Sequence, residues 1–313
     1  MRMPAEWTPH ERTLMAWPCR RELWDGRLAE ARRETAGVGN AIAAFEPVLM
    51  VCRPGEGAEA RAQLAGAVEI WEAPIDDSWL RDSGPIFRDD GSGVQFGFNA
   101  WGGRFPPWDD DATIAGRLCD HVGRPWERSE MVLEGGAIAV DGTGTLVTTE
   151  ECLLNPNRNP GWSRERIEGE LHARLGAERV VWLPYGLLED RDTDGHVDLI
   201  AAFAAPNRIA LLSVPDDNPN AERLATDREI LARAGIEIVD VPGLTYDGET
   251  AVSPMNVYVA GRAVVMSDAS EKALAAVARA YPDHEIVAVP AVTLAHGGGG
   301  PHCITQQVPA LHR

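Results

Sequence analysis
Short apolar runs alternate along this chain with longer amphipathic stretches rich in Ala, Arg and Glu. The apolar runs at 47–52, 68–71, 94–98, 133–140, 146–149, 180–183, 197–203, 209–214, 236–241, 257–259, 263–266 and 285–289 are rich in Val and Ile and bounded by Gly, Pro, Asn or Asp, which predicts strands. The stretches at 24–45, 57–65, 111–122, 163–175, 220–234 and 270–281 keep helical spacing. Asp111 and Ser270 are placed as N-caps, and Ser163 heads a helix with Arg174 near its far end. No Pro/Ser linker or low-complexity tract divides the chain, so the pattern predicts one α/β unit over 1–313. A strand–strand–helix rhythm recurs without a clean sequence repeat.

Charge narrows the partners. Lys and Arg total 29 against 48 Asp and Glu, a net charge of −19. Nucleic acid and anionic lipid both need a basic surface, so neither is expected, whereas an acidic field draws small cations. The five cysteines, Cys19, Cys52, Cys119, Cys152 and Cys303, are scattered and form no CxxC pair. That disfavours a disulfide framework and a structural zinc site. With no secretory h-region and no apolar run long enough to span a bilayer, a reducing cytoplasm is the default expectation. No GxGxxG or GxxxxGK[ST] follows a strand, so no nucleotide cofactor is expected.

Four segments carry candidate chemistry. In His296–Gln307, four consecutive glycines precede Pro301, His302 and Cys303. Glycines allow positive φ and close approach to a ligand, and a cysteine at the end of such a loop is placed like a nucleophile. The plainer reading is a turn before a buried structural cysteine. In Asp192–Asp198, His196 and Asp198 stand two apart, so on a strand they share a face, as general acid/base chemistry beside a cation would use. A metal site on Asp194, His196 and Asp198 is the alternative there. In Asp76–Pro85, three acids and Trp79 resemble a cation site, against a plain Asp-capped turn. Glu134 follows Met131, Val132 and Leu133, so it is expected to be buried at the start of a strand, with His196 as its candidate partner. Carboxylates and a cysteine together suit a guanidinium, whose N–H fork they grip while a thiolate attacks its carbon. Cys19, Cys52, Cys119 and Cys152 are expected to be packing residues. His10, His121, His172, His284 and His312 are expected to be structural or surface residues, and His302 to support the loop.

The chain resembles agmatine deiminases, a branch of the guanidine-modifying enzymes of pentein fold. The resemblance runs through Pro4–Pro18, Asp76–Pro85, Phe98–Gly103, Glu134–Gly136, Thr148–Pro160, Asp192–Asp198 and Gly297–Gln307, essentially the whole length. It implies five βαβ-like modules about a pseudo-fivefold axis, with the site in the central cavity. It also implies Cys303 as nucleophile, His196 as general acid/base, Asp82 and Asp198 on the guanidinium nitrogens, and Glu134 orienting His196 or touching the guanidinium. Trp79 would pack along the substrate's aliphatic arm and Asp192 would help bind its distal amine. No metal or organic cofactor is implied, and the partners would be a small cationic guanidine and further copies of the chain. Pro301 before His302, Leu199 after the HVD run and the Ser253–Tyr258 segment depart from the family pattern. They leave open agmatine, arginine, a peptidyl arginine or another alkylguanidine. Amidino transfer to an amine, and plain binding of a cationic ligand, are the competing classes.

Overall fold
The computed structural model describes residues 1–248 and 250–311; His312 lies outside them. Five sheets repeat one pattern. Each has a first strand antiparallel to the second and a second strand parallel to the third, with a helix making the parallel crossover. The first strands are Ile86–Phe87, Ile138–Val140, Ala201–Ala205, Tyr258–Ala260 and Thr305–Pro309. The crossover helices, in the same order, are Asp111–His121, Arg164–Leu175, Ala221–Arg233, Glu271–Ala280 and Leu28–Ala43. The last module joins the chain's two ends, because Thr305–Pro309 pairs with His10–Ala16. That sheet alone gains a fourth strand, Glu69–Glu72. This is the five-module pentein arrangement.

The helices form where expected because one face of each repeats at helical spacing. Ile167, Leu171 and Leu175 are all buried on one stripe, each worth about 1.5–3 kcal/mol of apolar burial. Ser163 and Ser270 cap their helices by accepting from the backbone N–H three residues on. Asp111 does not cap. It is the first helical residue, and its Oδ1 instead accepts the Asp76 N–H at 2.9 Å. The first long helix begins at Leu28, after a separate short 3-10 turn at Arg21–Trp24.

Two expected strands fall differently. Residues 133–140 follow directly on the strand Trp126–Val132 and hold a turn at Gly135–Ala137 before the short strand Ile138–Val140. Residues 197–203 split into the 3-10 turn Val197–Leu199 and the strand Ala201–Ala205. In both places the interruption holds site residues away from the strand ladder.

Asp227 is a buried carboxylate on Ala221–Arg233, and neither of its oxygens has a hydrogen-bond partner among the described residues. Burial pushes its pKa up to about 7, only partly offset by the Tyr185 backbone and Arg223. An acid whose folded pKa is raised loses stability as pH climbs from its unfolded to its folded value. The Asp227→Asn variant is therefore expected to gain on the wild type in melting temperature from about pH 4 to about pH 8. A difference that does not change with pH would contradict this.

Candidate active site
The five modules each place one site residue just ahead of their first strand: Asp82, Glu134, Asp198, Asn256 and Cys303. The spacings are 86 − 82 = 4, 138 − 134 = 4, 201 − 198 = 3, 258 − 256 = 2 and 305 − 303 = 2. Fivefold repetition brings these turns together at the centre of the ring. Gly136 lies at their meeting point. A Cβ there would sit 2.6 Å from His196 Nδ1 and 2.9 Å from both Asp198 Oδ2 and Asp82 Oδ1. Only glycine leaves room for these groups to converge.

The glycine run before Cys303 works mainly by close approach. Of its four members, only Gly298 has a positive φ, +101°. A Cβ on Gly297 would strike Trp24 at 2.5 Å, one on Gly299 would strike Trp79 at 2.6 Å and Cys303 Sγ at 2.9 Å, and one on Gly300 would strike Asn256 at 2.7 Å. The loop thus presses against the Trp24–Trp79 stack, whose ring centroids are 5.8 Å apart. Cys303, Asp82, Trp79, Trp101, Phe105 and Asp192 line one cavity.

Asp82 Oδ1 accepts the Gly136 N–H and Oδ2 accepts the Trp101 indole N–H, each at 2.9 Å, with His196 Nδ1 3.8 Å from Oδ2. Trp101 reaches Asp82 from a turn in which Ala100, Trp101, Gly102 and Gly103 all have positive φ. Non-glycine residues held there are strained, a feature common at functional sites. Burial, followed by the nearby Asp198 and Glu134, raises Asp82 to about 6 against the lowering effect of His196. For His196, burial opposes the charge, but Asp82, Cys152 and Glu134 together raise its pKa well above the ordinary value. These neighbours favour its charged form. Burial and then Asp198 and Asp82 push the Cys303 thiol well up, while Asn256 and the Gly300 N–H act the other way.

Asp198 Oδ2 collects the Cys303 thiol at 3.4 Å, the Asn256 amide at 3.2 Å and His302 Nδ1 at 2.8 Å. The Asn256 amide nitrogen is also 3.1 Å from Cys303 Sγ, and its oxygen accepts the backbone N–H groups of His302 and Cys303. Asn256 thus fixes both the position of the sulfur and the loop that carries it. His196 and Asp198 do converge, but through the 3-10 turn and not along one face of a strand.

Glu134 is buried as expected, but its hydrogen-bonded partner is Arg158, with Nε 2.5 Å from Oε1 and both side chains fully buried. Arg158 also bonds Asp194 Oδ2 at 2.7 Å, Asn157 Oδ1 at 2.8 Å and the Thr193 carbonyl at 2.9 Å. It ties Glu134 to the segment that presents His196. Asp194 is engaged by Arg158, Asn157 and Arg104, so it offers nothing to an Asp194–His196–Asp198 metal set. Cys152 is buried, but it does more than pack. Its sulfur, one atom of Glu134 and one ring nitrogen of His196 lie within 4.8 Å of one another. Arg158 already supplies positive charge to that group, and three ligands fall short of a closed zinc set. Asp76 is engaged by the backbone, accepting the Asp110 N–H at 2.9 Å, and Asp77 lines the Cys303 cavity but is paired with Arg20 at 2.8 Å.

The chain matches the Porphyromonas-type peptidyl-arginine deiminase family over residues 2–309. It belongs to that family. Among relatives, the agmatine deiminase of Pseudomonas aeruginosa (strain LESB58) is 39% identical, with 99% of this chain and 95% of that protein covered. Among solved structures, the agmatine deiminase of Enterococcus faecalis superposes with a TM-score of 0.92 at 33% identity, covering 98% of this chain and 95% of that one. A dimethylarginine dimethylaminohydrolase, at 14% identity and a TM-score of 0.59, covers 95% of this chain and 99% of that one and shares the fold. In this deiminase family member the five converging turns thus sit on a widely used scaffold.

Proposed function
We propose that this protein is a cysteine-dependent hydrolase of guanidine C–N bonds, and that it converts agmatine and water to N-carbamoylputrescine and ammonia. The observation that carries this reading is the Cys303 sulfur placed beside Asp198, in a cavity it shares with Asp82 and the Trp79 ring. Two carboxylates match the N–H fork of a guanidinium, and a thiolate beside them faces its carbon. The full-length likeness to proteins named agmatine deiminase supports the same chemistry and substrate.

In this scheme Asp82 and Asp198 hold the guanidinium nitrogens and the Cys303 thiolate adds to the carbon. The tetrahedral adduct expels ammonia as His196, in its charged form, protonates the leaving nitrogen. The S-alkylthiouronium stays positively charged, so the same carboxylates hold it. Water, deprotonated by the now neutral His196, adds to its carbon; on collapse the C–S bond breaks, its electron pair returns to sulfur as thiolate, the hydroxyl proton leaves to solvent, and the ureido product is released. Glu134 keeps His196 oriented and favours its charged form. The substrate's own charge offsets the carboxylates that raise the thiol pKa. Trp79 packs along the methylene arm and Asp192 receives the distal ammonium. We place the enzyme in the cytoplasm as a homo-oligomer built on one pentein unit over 1–313, with its product feeding putrescine and polyamine biosynthesis. No helix of the described residues is long and apolar enough to cross a membrane.

Ammonia release from agmatine, arginine, a peptidyl arginine, guanidinobutyrate and dimethylarginine at equal concentration tests the substrate. Agmatine is expected to lead, and Asp192→Asn is expected to raise its KM roughly ten- to hundredfold, a charge-assisted contact being worth about 1.5–3 kcal/mol. Turnover led by another guanidine would keep the chemistry and overturn the substrate. No turnover of any of the five would overturn the hydrolase reading.

A further inference from the structure
Asp82 carries a charge that its setting works against. It is buried, and Asp198 and Glu134 stand near enough to oppose its ionisation, so only His196 and hydrogen-bond donors favour the carboxylate. Two fixed N–H groups make those bonds, each at 2.9 Å: the Gly136 backbone on Oδ1 and the Trp101 indole on Oδ2. His196 Nδ1, at 3.8 Å from Oδ2, is too far to replace the second. Arg81, the preceding residue, turns away to Gln306, Gln307 and Glu6. A carboxylate has about four lone-pair sites, so two donors leave sites on both oxygens for a guanidinium fork.

Trp101 reaches that oxygen from a built turn. Ala100 and Trp101 hold φ of +50° and +54°, a left-handed region that residues with a Cβ rarely adopt. Asn99 secures the turn. Its Oδ1 accepts the Gly102 N–H and its Nδ2 donates to the Asn157 carbonyl, both at 2.9 Å. The Trp101 ring meets Phe98 and Phe105 edge to face, with centroids 5.2 and 5.6 Å away. Strain of this kind persists only where the surroundings enforce it. What it delivers is one indole N–H on one buried carboxylate.

We propose that Trp101 is a positioning residue that keeps Asp82 a carboxylate, with its oxygens aimed for a guanidinium before substrate arrives. The inference rests on the reading of Asp82 as a holder of that group. The Trp101 ring also lines the cavity beside Cys303, but its single N–H is already committed to Asp82 and acts on the substrate through it. Burial and then the two neighbouring carboxylates have already raised Asp82 to about 6. Loss of the indole N–H removes a bond made to the charged form and so raises the carboxyl further. Asp82 would then be protonated over part of the neutral range and give up the charge that the guanidinium needs.

The test titrates Asp82 itself, without substrate, by carbon NMR of protein labelled at the aspartate side-chain carboxyls. The Asp82 signal is identified by its loss in Asp82→Asn. Trp101→Phe keeps an aromatic ring and loses the donor, and it is expected to raise the Asp82 midpoint by roughly one pH unit or more. Asn99→Ala, which frees the turn from outside the cavity, is expected to move it the same way by less. Agmatine binding, measured by calorimetry in the Cys303→Ser background, should follow. In Trp101→Phe it is expected to weaken roughly tenfold at pH 5 and much less at pH 8. A ring that served only as a wall would weaken binding equally at both. An Asp82 midpoint that stays or falls in Trp101→Phe, as when His196 takes the vacated oxygen, would overturn the proposal even in an enzyme that deiminates agmatine. Should that variant not fold, the sign of the shift in Asn99→Ala decides. A raised midpoint in a protein that neither binds nor turns over any guanidine would support the role of Trp101 and sink the deiminase reading instead.

Discussion
Cys303→Ser is expected to lower ammonia release from agmatine by roughly four orders of magnitude or more, because an oxygen with no strong base beside it is a poor nucleophile toward a guanidinium. Binding should survive. Asp82, Asp198 and Asn256 stay in place, and the hydroxyl fits where the thiol was. Calorimetric titration should therefore give an agmatine Kd within a few-fold of the wild-type KM. Residual turnover near the wild-type rate would remove the covalent mechanism. Loss of binding together with rate would show that the sulfur supports the loop.

The largest expected effect on stability comes from Arg158→Met. The side chains of Arg158 and Glu134 are both fully buried, and the guanidinium makes further bonds to Asp194, Asn157 and the Thr193 carbonyl. Removing one partner of a buried ion pair leaves the other charge without compensation and costs about 3–5 kcal/mol. Denaturant unfolding should show that loss. Arg158→Met combined with Glu134→Gln should recover part of it, since the stranded charge is then gone. Activity should fall in both variants, because the 192–196 segment that presents His196 is no longer tied down. If the single variant unfolds like the wild type, the pair does not hold this region together.

The helices and most second and third strands were legible in the sequence because their apolar positions repeat at one period. The strands His10–Ala16 and Thr305–Pro309 were not. They carry His10, Glu11, Arg12, Gln306 and Gln307, and Gln306 and Gln307 are buried only because their side chains accept from Arg81, about 225 positions away. Periodicity cannot register burial that a distant arginine makes possible. Of the site, Cys303, His196, Asp82, Asp198 and Glu134 stood out by residue type and glycine context, and the structure brings all five to the ring's centre. Trp79 and Asp192 line the same cavity. Arg158 and Trp101 escaped notice and Cys152 was read as packing alone, although each lies in a matched motif, because their roles depend on what faces them across module boundaries. Asn256 carried a faint signal in Ser253–Tyr258. The repeat that unifies the site, one residue ahead of each first strand, is invisible in sequence because its five members are Asp, Glu, Asp, Asn and Cys.

The central claim is a covalent bond between Cys303 and the guanidinium carbon. Acid quenching of the enzyme during turnover of agmatine, followed by mass spectrometry of the Cys303 peptide, tests it directly. The account predicts a peptide heavier by agmatine less ammonia, present in the wild type and absent in Cys303→Ser. An unmodified Cys303 peptide at every quench time, in an enzyme that still releases ammonia, would contradict it.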